Sequence, residues 1–392
     1  MQVVNFDQII ERRGTDCVKF DAYKDHGYDA DILPLWVADM DFQAPTCVTE
    51  ALHAAVDHGI FGYSIRSQRY FPALKAWFAK HFAWDLEAQW LITTPGVVFA
   101  LSTAVRATTE PGDNVLVMPP VYYPFYRVIA DNDRNIVKSE LTYENGRYTM
   151  NFANIEEKIV DNEVKALILC SPHNPVGRVW TAEELQTLGA ICKKHNVTVI
   201  SDEIHCDFAF PEYPHTPFVK ACPDLAENTI VCTAPSKTFN LAGLQVSNIF
   251  IPGEELRKRF QKEMDVAAYH DVNRLGAVAA TAAYEGGEEW LAACKSSMRE
   301  NLNYLCSFLA KRLPKIKLVE PEGTYLAWLD CSGLGLTKEQ LDELIVKKAK
   351  LWLDTGSIFG ESAEQFQRIV LACPKATLEK AMEQLANAVD SL

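Results

Sequence analysis

The chain has 392 residues, a formal net charge of −14 at pH 7, a sequence pI near 5.2 and a hydrophobic content of 48%. This length exceeds one ordinary core, so we expect a globular protein with a large domain and a smaller companion. The acidic balance without a basic run argues against a nucleic-acid partner, and no apolar segment approaches the ~20 residues that span a bilayer.

The N-terminal stretch Met1–Asp7 lacks the basic and apolar regions of a signal peptide, so we expect a soluble, cytoplasmic protein without membrane contact. The eleven cysteines are scattered and form no Cys-x-x-Cys pair or Cys/His cluster. This pattern favours reduced, buried thiols over disulfides, and we expect no bound metal.

Between about residues 95 and 250, short apolar runs alternate with longer amphipathic stretches, which predicts a mainly parallel sheet covered by helices. The predicted strands are 115–118, 165–170, 197–200, 229–232 and 246–251. A helical run is predicted over 99–107. The best-marked helix starts after Thr181, where Glu184 completes a capping box, and runs to about His195.

The segments 253–286 and 288–313 are also predicted to be helical, and the second is long enough to leave the first domain. A different composition follows, with strands at 315–319, 324–329 and 368–372 and helices at 338–350 and 375–392. The fold class is therefore α/β. We predict an arm with part of the small domain at 1–45, a large domain at 46–285 and a small α+β domain at 286–392.

Three predicted strands end in side chains that suit one cofactor, pyridoxal 5′-phosphate (PLP). Ligands of open parallel sheets bind beyond the carboxyl ends of the strands, where Asn174, Asp202 and Lys237 follow successive strands. Lys237 has the amine that binds the PLP aldehyde covalently as an internal aldimine. Asp202 would keep the ring nitrogen protonated, and the Asn174 amide would donate to the 3′ oxygen.

The phosphate and the ring of PLP have candidates in neighbouring loops. Gly96 and Val97 open the predicted helix 99–107, where backbone amides attract a phosphate, and Ser236 offers a hydroxyl. Tyr122 follows a strand and would stack on the ring. Each residue also has an ordinary structural interpretation, such as an N-cap, a turn or a packed loop side chain. Their order along the chain supports the site more than any single residue does.

A series of motifs extends over nearly the whole chain: Arg12–Thr15, Leu35–Phe42, Phe61–Tyr63, Pro120–Phe125, Pro172–Trp180, Ser201–His205, Ala234–Leu244 and Glu322–Asp330. Together they resemble the cystathionine β-lyase branch, often called MalY/PatB, of the class I/II aminotransferase superfamily. The resemblance implies the fold of the fold-type I PLP enzymes, with a large domain built on a mainly parallel sheet and a smaller α+β domain.

The resemblance also implies a role for each candidate residue. The residues at the cofactor are Lys237, Asp202, Asn174, Tyr122, Gly96, Val97, Val98, Ser236 and His205. Arg368 is implied to bind the substrate carboxylate, and Trp36 is a further substrate-binding candidate. The catalytic candidates are Lys237, Tyr122 and Tyr123, and we expect the leaving thiol to take a proton from Lys237 or a nearby tyrosine such as Tyr123. In such enzymes Tyr63 reaches the cofactor phosphate of the neighbouring subunit, which implies a homodimer with shared sites.

Two departures from the family pattern bear on activity. Gln245 stands eight residues after Lys237, where transaminase-like members have an arginine, and this favours a lyase. Val370 stands where relatives usually have asparagine, which leaves the substrate preference open. We expect α,β-elimination of L-cystathionine to homocysteine, pyruvate and ammonia, with cysteine, cystine or S-alkyl cysteines as other substrates. The alternatives are an aminotransferase and, less favoured, a non-catalytic PLP-binding regulator.

Overall fold

Alternating strands and helices organise residues 4–392, the part of the chain that the computed structural model describes. Residues 1–3, which begin the stretch interpreted above as lacking a signal peptide, lie outside the described residues. The strands are β1 (Leu33–Pro34), β2 (Leu91–Thr94), β3 (Asn114–Val117), β4 (Asn135–Lys138), β5 (Thr142–Glu144), β6 (Arg147–Thr149), β7 (Ala166–Cys170), β8 (Thr198–Asp202), β9 (Thr229–Thr233), β10 (Ser247–Phe250), β11 (Lys317–Leu318), β12 (Leu326–Asp330), β13 (Leu351–Trp352), β14 (Asp354–Thr355) and β15 (Phe366–Val370).

The helices pack on these strands or join them. They are α1 (Val18–Asp21), α2 (Thr46–Asp57), α3 (Tyr70–Phe82), α4 (Val97–Thr108), α5 (Pro124–Ala130), α6 (Phe152–Asp161), α7 (Ala182–Lys194), α8 (Phe218–Ala221), α9 (Pro235–Thr238), α10 (Glu254–Val266), α11 (Arg274–Gly286), α12 (Glu288–Arg312), α13 (Lys338–Glu343) and α14 (Lys375–Asp390). Within residues 4–392, none of the helices combines the length and the apolar character that crossing a membrane requires.

The central sheet has seven strands in the order β2-β10-β9-β8-β7-β3-β4. The run from β9 to β4 is parallel, and β10 lies antiparallel to both β2 and β9. Every residue of β7, β8 and β9 is buried, as expected for parallel strands with helices on both faces. The predicted mainly parallel sheet is confirmed.

The register of the central strands decides which side chains meet at the edge of the sheet. Cys170 of β7 pairs with Asp202 of β8, and Asp202 pairs with Cys232 of β9. The three strands therefore end nearly level. The loops that follow them bring Asn174, Asp202 and Lys237 to the same carboxyl edge, where ligands bind in sheets of this type.

A second, antiparallel sheet in the order β11-β12-β15-β14 forms the C-terminal part of the chain. The long helix α12 leads into it, and a buried apolar cluster that includes Leu305, Leu329 and Leu385 lies between this sheet and its helices. The N-terminal arm joins this part, because β1 pairs in parallel with β13 and the Val370 amide donates to the Leu35 carbonyl at 3.0 Å. The domain boundaries given above stay a prediction.

Two predicted helices differ from the structure. The segment 253–286 is not one helix: α10 ends at Val266, Ala268 takes a left-handed φ of 52°, and the Asn273 side chain caps a new helix by accepting the Gly276 amide. Asparagine is a strong N-cap, so the sequence encodes a restart there. The segment 338–350 is α-helical only to Glu343 and continues as a π-helical turn over Leu344–Lys348. The capping box of Thr181 and Glu184 on α7 is confirmed.

A buried ion pair fastens the loop after β7 to the C-terminal part. Glu322 accepts the Arg178 Nε at 2.8 Å and the Val179 amide at 2.9 Å, and its other oxygen accepts the Arg147 Nη2 at 2.8 Å. Both Arg178 and Glu322 are buried. Because this loop also contains Asn174, the ion pair supports the edge of the sheet where the three candidate residues meet.

We expect Glu322→Gln to lower the free energy of unfolding by about 3 kcal/mol, because the change removes one of the two carboxylates that pair with the buried Arg178 guanidinium, the other being Glu184. Urea unfolding followed by far-UV circular dichroism measures the effect. Glu361→Gln, which removes an exposed ion pair with Lys138, is the control and should cost less than about 1 kcal/mol. Equal midpoints for the two variants would contradict a structural role for the buried pair.

Candidate active site

Lys237 lies in α9, the single helical turn that follows β9, with its amine pointing toward the N-terminal arm. The Nζ atom donates to the Ala38 carbonyl at 2.7 Å. Burial lowers the pKa of Lys237 from 10.5 to about 8; the Arg368 charge acts in the same direction, and Asp39 and Asp202 oppose it. A lysine amine with this pKa is neutral in a large fraction of molecules just above neutral pH, which a nucleophile or general base requires.

Asp202 is a carboxylate held where water does not reach it. It is 3% exposed, and its Oδ1 accepts the Ile204 amide at 3.2 Å. Burial raises the pKa of Asp202 from 3.8 to about 7, although the Ile204 hydrogen bond and the Lys237 charge lower it. The charged form therefore needs a further cationic partner, and a protonated ring nitrogen is such a partner.

Arg368 occupies the centre of a buried hydrogen-bond network. Its Nη1 donates to Asn174 Oδ1 at 2.9 Å, its Nη2 donates to the Trp36 carbonyl at 2.8 Å, and it forms an ion pair with Asp354. The guanidinium also lies 5.0 Å from the centroid of the Phe359 ring. Because Arg368 uses the amide oxygen of Asn174, the Nδ2 donor of Asn174 is oriented away from it and is available to a ligand.

One donor of this network, the Arg368 Nε, has no hydrogen-bond acceptor within the described part of the chain. Burial raises the pKa of Asp354 and the Arg368 charge lowers it. Among residues 4–392, no group accepts the buried Arg368 Nε. An unsatisfied guanidinium donor in a buried site is costly, and a carboxylate ligand would satisfy it.

Tyr122, Tyr123 and His205 border the same space. Burial raises the pKa of the Tyr122 phenol well above its usual range; Tyr123 and Asp202 also raise it, and Arg368 lowers it. The ring centroids of Tyr122 and Tyr123 lie 5.5 Å apart. Tyr123 packs edge-on against Phe359, with 5.8 Å between ring centroids. His205 is buried, and burial together with the Lys237 and Arg368 charges holds its pKa well below the usual range. His205 is therefore a neutral imidazole.

The candidate phosphate end lies at the start of α4. Gly96 is the N-cap of this helix, and Val97 and Val98 are its first two residues. Their backbone amides belong to the first turn, which has no acceptor within the helix, and this end of the helix dipole attracts anions. Ser236 is partly exposed in α9, next to Lys237. These four residues match the requirements of a phosphate dianion.

One candidate residue is not brought to the site within a single chain. The side chain of Tyr63 is 99% exposed, so it makes almost no contact with its own chain. Gln245, where the sequence suggested a missing cation, is exposed and takes a left-handed φ of 51° at the end of a short 3-10 helix.

Three groups of the site were missed by sequence reasoning. The Ala38 carbonyl receives Lys237 and also the Tyr325 hydroxyl at 2.9 Å, and Asp354 pairs with Arg368. Asp354 follows an apolar run, a signal that could have identified it. The Ala38 group is backbone, so no residue type marks it, whereas Tyr325 lies inside a motif whose purpose the sequence did not reveal.

The residues present fit PLP. A buried carboxylate lacks a cation, an amide donor is oriented by an arginine, a lysine amine has a lowered pKa, and a helix start offers free amides. Each matches a different part of the cofactor. In the described part of the chain, no cluster of three or more His, Cys, Asp or Glu residues is arranged to hold a metal ion, and all eleven cysteines are free thiols.

Comparisons with known proteins agree with this geometry. A model of the family "Aminotransferase class I and II" matches residues 30–385. Cystathionine beta-lyase PatB of Bacillus subtilis is 42% identical over 386 residues, which cover 98% of this chain and 100% of that protein.

Two solved structures are similar over almost their whole length. The structure of cystalysin from Treponema denticola, which contains pyridoxal 5′-phosphate, has a TM-score of 0.96, with 37% identity and 100% of both chains covered. The PLP-bound C-S lyase from Staphylococcus hominis has a TM-score of 0.92, 36% identity and 98% of both chains covered. These similarities confirm the predicted fold-type I α/β architecture.

We expect the burial of Asp202 to make the cofactor-free protein less stable as the pH rises. The folded-state pKa of about 7 lies above the unfolded-state value, so the stability contributed by the protonated carboxyl is present below about pH 4 and is lost as the pH rises through about 7. Asp202→Asn should therefore become more stable than the wild type by about 2–4 kcal/mol over this range.

Urea unfolding of the cofactor-free proteins at several pH values measures this difference. Asp85→Asn, which changes an exposed carboxyl, is the matched control and should follow the wild type at each pH. A stability difference between Asp202→Asn and the wild type that does not change with pH would contradict the raised pKa of Asp202.

Proposed function

The chain belongs to the aminotransferase class I and II family, and we propose that it is a PLP-dependent carbon–sulfur β-lyase acting on L-cystathionine and related cysteine S-conjugates. The observation that carries the proposal is the meeting of Lys237, Asp202 and Arg368 at one edge of the sheet, with the pKa of the Lys237 amine lowered to about 8. The names of two similar proteins, a cystathionine beta-lyase and a C-S lyase, support the reaction class.

The residues that would hold PLP divide into three groups. Lys237 would bind it through the amine, and Asp202 would keep a proton on the ring nitrogen because a buried carboxylate without a cation is unfavourable. Asn174 would donate from Nδ2, and His205 and Tyr122 would border the ring. Gly96, Val97, Val98 and Ser236 would surround the phosphate. When bound, PLP supplies an electron sink for the pair left on the substrate α-carbon.

The chain's own groups then perform the remaining work. Arg368 binds the substrate carboxylate, for which its unsatisfied Nε is available, and Trp36 lies beside it through its carbonyl. Lys237 removes the α-proton as general base. The electron pair of the Cβ–S bond leaves with sulfur, which takes a proton from Lys237 or Tyr123. The amino-acid fragment that remains takes up water and yields pyruvate and ammonia.

Gln245 favours elimination over transamination, and Val370 bears on how the substrate is recognised. Gln245 offers no charge to the phosphate where transaminase-like members of the family have an arginine, and its side chain is exposed. Val370 is fully buried in β15 and offers no side-chain hydrogen bond to a substrate carboxylate, so recognition of the carboxylate depends on Arg368. The substrate is accordingly held by its carboxylate, and the substituent on sulfur can differ between substrates.

We also propose that the protein is a homodimer in which Tyr63 completes the partner's phosphate site. Ile60, Phe61, Tyr63 and Ile65 are exposed on one short segment. Exposed apolar side chains that cluster in this way mark an interaction surface. A tyrosine without contacts in its own chain is available to a second copy of that chain.

Pure holoprotein incubated with L-cystathionine alone should release pyruvate and a thiol, because elimination needs no second substrate. Coupled lactate dehydrogenase and a thiol reagent measure the two products. Lys237→Ala should lose at least about 10³-fold in turnover, since it removes both the base and the cofactor linkage. Product that appeared only after addition of a 2-oxo acid would instead identify an aminotransferase.

Mixing inactive variants tests the shared site. Tyr63→Phe and Lys237→Ala subunits, when combined, form dimers with one native site in each mixed dimer, so activity should recover to about a quarter of the wild-type value. Asp202→Asn mixed with Lys237→Ala is the control, because both residues belong to the same chain's site and no recovery is expected. Recovery in neither mixture, with mixed dimers present, would assign Tyr63 to its own chain's site, and full activity of Tyr63→Phe alone would place Tyr63 outside the active site.

A further inference from the structure

Two sequence motifs, Arg12–Thr15 and Leu35–Phe42, meet in a cluster of four charges that the reaction as derived above does not use. Arg12 donates to Asp39 at 2.7 and 3.2 Å and to Asp41 at 2.6 Å. Lys19 lies 2.9 Å from Asp41 and 3.6 Å from Asp39. We call Arg12, Lys19, Asp39 and Asp41 the arm clamp.

The burial of the arm clamp indicates that it is more than a surface ion pair. The Lys19 side chain is 0% exposed, and the Asp41 side chain is only 7% exposed. Removing a lysine from water costs several kcal/mol unless its partners are well placed. Each cation of the clamp contacts both carboxylates, so the two charges of each sign balance locally. Such a cluster fixes the backbone between the carboxylates.

The backbone around Met40 is also bonded on its other side by the loop that follows α9, the helical turn that contains Lys237. The Asn240 side chain accepts the Met40 amide at 3.0 Å and donates to the carbonyls of Met40 and Phe42, each at 2.9 Å. Arg12 adds a hydrogen bond to the Met40 carbonyl at 3.3 Å. The segment from Ala38 to Phe42 is therefore gripped between the N-terminal arm and the loop after α9.

The carbonyl at the start of this gripped segment faces the amine of Lys237. Ala38 O accepts Lys237 Nζ at 2.7 Å and the Tyr325 hydroxyl at 2.9 Å. A neutral amine has one lone pair, so donating a hydrogen to a fixed acceptor restricts that lone pair to the two remaining tetrahedral positions. The same carbonyl stabilises the ammonium that forms when the amine takes up a proton.

We propose that Arg12 and Lys19 are positioning residues for the reaction, because they hold Asp39 and Asp41 so that the Ala38 carbonyl orients the amine of Lys237. The proposal rests on the proposed function in taking Lys237 as the general base. The clamp residues are not among those that would hold the cofactor or the substrate, and they act on Lys237 through the arm and through the Asp39 charge.

Electrostatics gives the clamp a second, measurable effect on Lys237. Burial lowers the pKa of Lys237, Arg368 lowers it further, and Asp39 and Asp202 raise it. The neighbouring His205 is neutral, because its pKa lies well below the usual range, and Tyr325 is neutral, because its pKa lies well above. Arg12 offsets the Asp39 charge. Loss of Arg12 should therefore favour the protonated form of the Lys237 nitrogen, and loss of the Asp39 charge should disfavour it.

The first test compares Arg12→Gln with Arg13→Gln in the holoprotein. Arg13 belongs to the same motif but donates to the Phe20 and Ile32 carbonyls and not to residues 39–41. We expect Arg12→Gln to lower kcat for pyruvate release roughly 10- to 100-fold with little change in KM, as misplacement of a catalytic group does, while Arg13→Gln keeps kcat near the wild-type value. Equal loss of kcat in the two variants would overturn the proposal.

The second test reads the charge directly and does not depend on turnover. The visible absorption of the bound cofactor is titrated with pH in Arg12→Gln and in Asp39→Asn. The second variant keeps an oxygen acceptor for Arg12 and gives an independent measurement if Arg12→Gln folds poorly. The midpoint should move to higher pH in Arg12→Gln and to lower pH in Asp39→Asn. Shifts in the same direction, or no shift in either folded variant, would overturn the proposal. If the wild type itself releases no pyruvate, the lyase function fails, but the opposite shifts still test the clamp.

Discussion

The burial of two opposite charges at one edge of a parallel sheet is the constraint on which the rest of the site depends. Asp202 ends β8 and Lys237 lies in the helical turn after β9, and the ladder between these two strands fixes their register. Burial opposes the charged form of each, lowering the pKa of the lysine and raising that of the aspartate. The attraction between the two residues does not offset the burial of their charges. A ligand with a cation beside Asp202 and a group that reacts with the Lys237 amine would therefore fit the site.

The surrounding hydrogen-bond network orients the side chains of the site, and it contains several buried charges. Arg368, Asp354 and Asn174 form one hydrogen-bonded unit, and Glu322 with Arg178 fastens the loop that contains Asn174. Buried ion pairs add little net stability on their own, because desolvation offsets their attraction. Their presence here is better explained by fixed geometry, since Asp354 pairs directly with Arg368 and the Arg178–Glu322 pair holds the loop that contains Asn174.

Much of the fold could be predicted from the sequence, because the apolar runs of β7, β8 and β9 are long, uniform and separated by amphipathic helices. The break between α10 and α11 was missed, since 253–286 keeps a helical composition and only the capping by Asn273 marks the restart. Asp202, Asn174 and Lys237 could be found because each has a distinctive side chain at a strand end. The Ala38 carbonyl could not, because a backbone acceptor leaves no signature in residue type.

The N-terminal arm contacts both the arginine and the lysine of the active site. The carbonyls of Trp36 and Ala38 accept Arg368 and Lys237, respectively. Trp36 and Ala38 are only two residues apart, just after β1. The group that would hold the substrate carboxylate and the group that would take its α-proton are therefore spaced by one short piece of backbone. That piece is held on both sides, because β1 before it pairs with β13, and Asn240 bonds to Met40 and Phe42 after it. This shared support explains why a segment without catalytic side chains forms one of the most distinctive motifs of the sequence.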